Sequence, residues 1–210
     1  MKTQLIRCAI LCCAVMLASF ALSETAIAQA DTVMFWNVTA VNTIRTAGPS
    51  LGPLATPLGS RVMAMMHVAM ADAVTSIHPA YKPYAIRLVS HGNADQIAAA
   101  SAAAYGVLVR LFPSQQSSLE AALAHSLAHV PNGGKKDEGV AVGDQIAAQI
   151  VALRSNDGSH AMITYTPPAG LGYWQPDPRT GPSPFLSWRY VTPWTMRSAD
   201  QFRPGPPPSI

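Results

Sequence analysis

Cysteine is confined to Cys8, Cys12 and Cys13, so the chain beyond residue 13 carries no thiol. Disulfide staples, thiolate nucleophiles and cysteine metal sites are thereby excluded from all but its first residues. Charge is also scarce, at 12% Asp, Glu, Lys and Arg, and no run of five basic residues occurs. That pattern argues against nucleic acid or an anionic membrane surface as a partner. A Gly-x-Ser-x-Gly elbow, a phosphate-binding loop and a dinucleotide fingerprint are all missing. With them go the sequence grounds for the commonest hydrolase and nucleotide sites. Nor does any strand-like alternation of apolar and polar residues compete with helical periodicity.

What is present begins with a leader. Lys2 and Arg7 flank the start of an apolar run from Cys8 to Leu22, and Ala28-Gln29-Ala30 fits a small-residue cleavage site before Asp31. Residues 1–30 therefore read as an export signal. The apolar run is about fifteen residues, short of the roughly 20 that cross a bilayer as a helix. The expected product is exported, periplasmic or secreted, with no integral membrane span once the signal is removed. Without Lys2, Arg7 and Glu24, the 14 basic and 11 acidic residues become 12 and 10, a net charge of +2. About 180 residues suffice for one core without disulfides.

Five helices are expected in residues 31–158, giving an all-α domain. In the first, Asp31 caps and Val33, Trp36, Ala40 and Ile44 share a face before GPSLGP interrupts. The second, LGSRVMAMMHVAMADAVTSIH, repeats apolar residues at Val62, Met66, Ala69, Met70, Ala73 and Ile77 and ends at His78-Pro79. Asn93 with Gln96 suggests a capping box for the alanine-rich third. The fourth runs through SQQSSLEAALAHSLAHV. The fifth carries Val142, Ile146, Gln149, Ile150 and Leu153 in a stripe and stops at Asn156-Asp157-Gly158.

Residues 159–210 differ in kind. They hold most of the prolines and three of the four tryptophans, with no repeating apolar period. So long an irregular stretch is expected to lie along another surface, with Tyr173, Tyr190 and the tryptophans as anchors. The terminal SADQFRPGPPPSI reads as a spacer that leads onward.

Taken together, VMFWNVTAVNTIR, GSRVMAMMHVAMADAVTSI, AAYGVLVRLFPSQ, GVAVGDQIAAQIVALRSNDGS, YTPPAGLGYWQPDP and WRYVTPWTMRSADQFRPGPPP resemble the front half of the vanadium-dependent haloperoxidase family. That family is related to the type-2 phosphatidic acid phosphatases, and the resemblance spans nearly all of residues 31–208. It implies helices that pack as part of a larger bundle beside a second helical half. That half holds vanadate or phosphate through Lys, six residues, then Arg-Pro; through Pro-Ser-Gly-His; and through Ser-Arg followed by His. Cationic groups there cradle a tetrahedral oxyanion while a histidine bonds or attacks it. None of the three motifs occurs in these 210 residues. The expectation is thus a chain that binds no vanadate by itself and is inactive alone. Its partner would be the missing catalytic half or another copy of itself. A standalone binding or assembly module, or a subunit completed by a separate catalytic chain, is the alternative.

Two constellations mimic sites. Arg197 to Pro204 imitates the first oxyanion motif, making Arg197 and Arg203 the only cofactor-binding candidates, but Met196 stands where the lysine belongs. His125 and His129, four apart on the fourth helix, are the only metal candidates, and no acidic residue lies between them. Asp157-Gly158-Ser159-His160 has its residues in the wrong order for Pro-Ser-Gly-His, with Gly before Ser rather than between Ser and His, and reads as a turn. Arg61, His67 and Asp72 form the expected polar cluster on the second helix, read as satisfied core residues or, as the alternative, as part of a distal pocket wall, and Asp72 could reach a partner on a neighbouring helix. Asn37-Val38-Thr39 matches a glycosylation acceptor on a packed helix and reads as incidental. No catalytic residue is assigned.

Overall fold

The computed structural model describes residues 32–49, 55–89, 93–161, 163–170, 173–175, 177–179 and 186–205. The export signal, all three cysteines and the Asp31 cap lie outside the described residues. Five α-helices follow in order: α1 (32–49), α2 (Ala55–Ile77), α3 (Gln96–Leu111), α4 (Gln116–Leu127) and α5 (Gly134–Arg154). Among the described residues there is no strand, so the all-α expectation holds.

Helix α2 packs against both α3 and α5. Pro57 sits in its first turn, where a missing N–H costs nothing. Val62, Met65, Met66, Ala69, Met70, Ala73 and Ile77 are buried along it. The helix ends where His78 donates its N–H to the Val74 carbonyl (2.9 Å) and Pro79 forbids another turn. Trp36 of α1 is fully buried beside this core and donates its indole N–H to the Ser126 hydroxyl (3.3 Å), which is itself hydrogen-bonded to Ser101 (2.7 Å). A buried indole finds its partner here on α4. Val33 departs from the expected inner face of α1 and is 41% exposed.

Helices α3 and α5 make the closest pair. Alanines Ala98, Ala99, Ala102 and Ala103 are buried on α3. Opposite them, a Cβ on Gly139 would strike the carbonyl oxygen of Asp95, and one on Gly143 that of Ala99. The glycines are there because backbone meets backbone. The α3 cap is Asp95, whose carboxylate accepts from Ala98 N–H (2.8 Å), in place of the expected Asn93. Both residues suit a cap, and the one adjoining the first turn reaches its N–H.

Helix α4 follows a 3-10 turn, Pro113–Gln115, and stops at Leu127. Among the described residues no single helix is long and apolar enough to cross a membrane. In the stretch from 159 onward, the described residues contain one regular element, the 3-10 turn Leu186–Tyr190.

Candidate functional site

Two places concentrate polar side chains in this sparsely charged chain. The first is a buried charge clamp. Arg61, near the start of α2, donates from Nε to Asp157 Oδ2 (2.7 Å) and from Nη2 to the carbonyl of Arg154 (2.6 Å). The second of these bonds caps the C-terminus of α5, where cations are favoured. Arg154 in turn donates from Nε to Asp157 Oδ2 (3.1 Å) and from Nη2 to the carbonyl of Thr192 (2.7 Å). The three charged side chains are 1–6% exposed.

Asp157 holds this arrangement in a turn that only glycine completes. Gly158 has φ +90°, and a Cβ there would come within 2.6 Å of the Tyr190 carbonyl oxygen. Thr192 N–H donates to the Asp157 carbonyl (2.7 Å), so the backbone also fastens the stretch around Thr192, hereafter the strap. Trp194 completes the contact: the Arg154 guanidinium lies 4.1 Å from its ring centroid. Burial pushes the Asp157 carboxyl pKa up, but hydrogen bonds from Arg61 and Ser159 outweigh it and leave the pKa below its ordinary value.

The second place is a cleft of about 700 Å3 between the start of α1, the middle of α2 and the start of α3. Its far side is a loop, residues 78–89, held by two polar residues buried on α2. Asp72 accepts the N–H groups of Tyr84, Ala85 and Ile86 (2.5, 3.0 and 2.9 Å). Ser76 Oγ accepts from Leu88 N–H (3.0 Å). The Tyr84 hydroxyl donates to the Trp194 carbonyl (2.6 Å), joining this loop to the strap.

The expected cluster on α2 is therefore not a cluster. Arg61 goes to the clamp, and Asp72 goes to the loop rather than to a neighbouring helix. His67 pairs with Asn37 of α1 through Nε2 and Oδ1 (3.1 Å). Side chains eleven residues along a helix are three turns apart, too far to meet. His67 and Asp72 share only the lining of the cleft. Burial lowers the His67 pKa, which keeps the imidazole neutral; it then donates to the Asn37 carbonyl.

The other candidates stand on the surface. His125 is exposed beside the Phe35 ring (centroids 5.2 Å apart), and α4 ends before His129, which sits in the following turn. The shared helical face expected for them is lost with the last turn. Among the described residues no group of three potential metal ligands forms. Arg197 and Arg203 are both exposed; the Arg197 N–H donates to Gln201 Oε1 (2.7 Å) and the Arg203 N–H to the Asp200 carbonyl (2.9 Å).

Sequence reasoning missed Asp157 and Arg154 as partners. The turn at Asp157 was legible, but its carboxylate meets Arg61 across 96 residues. The available signal was Arg61 itself, a charge within an apolar repeat, which requires an acid somewhere.

A scan against protein-family models finds no match to this chain, and searches of curated proteins and of solved structures find none either.

Proposed function

We propose that the chain is the front helical portion of an exported protein of the vanadium-dependent haloperoxidase type, lacking the vanadate- or phosphate-binding motifs and inactive alone. The parent chemistry in this reading is peroxide-dependent halide oxidation or phosphoester hydrolysis, carried by a second half that completes a larger bundle. The sequence stretches quoted above support the family, and one feature of the fold carries the notion of a missing neighbour. On α1, Met34, Val38 and Val41 point outward at helical spacing and are 60%, 53% and 36% exposed. Arg45 is the only charge on that helix. Apolar residues on both sides of a helix are what a buried bundle position looks like.

Sedimentation velocity on residues 31–210 tests this. Self-association that Met34→Lys with Val38→Lys relieves is expected. A monodisperse, cooperatively melting wild-type monomer would overturn the reading.

The second reading is a standalone exported binding or assembly module. The clamp favours it, because the strap is fastened to α2 and α5 by this chain's own groups and needs no partner to stay in place. A monomer in sedimentation supports this reading; association with a separately encoded catalytic chain would replace it with the other alternative, a subunit completed by that chain.

A further inference from the structure

We propose that the cleft between α1, α2 and α3 binds an amphiphilic anion: an apolar body of medium length carrying one carboxylate. The inference is independent of the haloperoxidase-type reading.

The cleft is a built feature. A carboxylate with no exposed surface is costly unless it is hydrogen-bonded, and both oxygens of Asp72 accept from N–H groups of one loop, three in all. Ser76, also buried, takes a fourth N–H of the same loop. Two buried polar residues of a core helix thus fix the course of a surface loop, and that loop is the lip of the cleft. Its position sets where Tyr81, Lys82 and Tyr84 stand over the opening.

The lining divides by chemistry. Val33, Met70, Val74, Ile97 and Ala100 supply apolar walls, with a methionine that adapts to irregular shapes. The volume, about 700 Å3, falls within the roughly 300–1,000 Å3 of sites for small organic ligands. Of the lining groups that bear charge, Asp72 is fully buried with its carboxylate turned to three loop N–H donors, and His67 is neutral in its bond to Asn37. Among the described residues, Lys82 at the exposed lip is the only Lys or Arg lining the cleft. An apolar body with a terminal anion matches walls and lip together. A neutral apolar molecule leaves Lys82 without use, and a polyanion has one cation to meet.

The test is isothermal titration calorimetry of the full chain and of residues 31–210 with decanoate and with 1-decanol. One-to-one decanoate binding is expected, with decanol weaker. Lys82→Met should weaken decanoate about fivefold, the size of a solvent-exposed charge contact, and leave decanol unchanged. Ala71→Trp, placed at an exposed lining position, should weaken both by about tenfold or more by filling the space a ligand needs. Both positions are exposed, so melting temperatures should stay near wild type. Absence of binding, equal affinity for acid and alcohol, or multi-site binding indifferent to Ala71→Trp would overturn the proposal.

Discussion

The α3–α5 contact and the strap contact are held by opposite means. Between α3 and α5, glycine and alanine let two backbones touch, and an ion pair across the contact, Arg110 with Asp144, lies at its exposed edge. At the strap, an irregular segment is fixed by three buried charged side chains and an indole. A helix satisfies its own backbone and needs only shape to pack. A strap with only scattered turn hydrogen bonds of its own, such as Val191 N–H to the Trp188 carbonyl (3.1 Å), must also be tied by side chains that reach its carbonyls. Each region is therefore vulnerable to a different change: one to added volume, the other to a lost charge.

Removing the shared carboxylate should have the largest effect. Asp157→Ala leaves two guanidiniums buried without a counter-charge, an expected loss of roughly 3–5 kcal/mol by urea denaturation, with new proteolytic cleavage in the strap. The same bond makes a pH prediction. Because the folded pKa of Asp157 is depressed, its contribution is fully present above the ordinary value of 3.8 and is lost as pH falls below it towards the folded value. Asp157→Asn should flatten that part of the acid-stability curve, and an unchanged curve would count against the clamp.

Overpacking the helix seam comes next. Gly143→Ala should cost roughly 2–3 kcal/mol without exposing the strap to protease, since the new methyl meets the Ala99 carbonyl rather than a side chain that can move. A stability loss accompanied by strap cleavage would mean that the two regions are one cooperative unit. Trp194→Leu removes the ring beneath Arg154 and is expected to cost about 1–2 kcal/mol, chiefly at the strap. The smallest effect should come from Asp144→Asn, which removes a pair whose partners are 33% and 60% exposed and should change stability by about 1 kcal/mol at most.

Much of the helical part was legible because period and punctuation coincide there. Val62 to Ile77 repeat at helical spacing and are buried as that spacing demands, and His78-Pro79 stops α2 where a proline must. The buried side of α5 was also visible in Val142, Ile146 and Ile150, although Leu153 at the end of the stripe is 54% exposed. The seam with α3 was not, because a glycine in a helix announces a close approach without naming what approaches. The clamp was less legible still. Its members come from positions 61, 154, 157 and 192, and no local pattern links a basic residue in one helix to an aspartate in a turn after another. Asp72 misled for a related reason: its partners are backbone N–H groups, which carry no sequence identity. The cleft follows from that loop, and the sequence pointed to it only through the polar residues of α2, of which His67 and Asp72 line it.

The measurement that bears most directly on the proposed function is vanadate and phosphate calorimetry on residues 31–210, run beside peroxide-dependent bromination and p-nitrophenyl phosphate turnover. The account predicts no binding heat and no turnover, since both buried arginines are committed to Asp157 and to main-chain carbonyls. Micromolar vanadate binding that is lost on replacing Arg197, Arg203, His125 or His129 would contradict it.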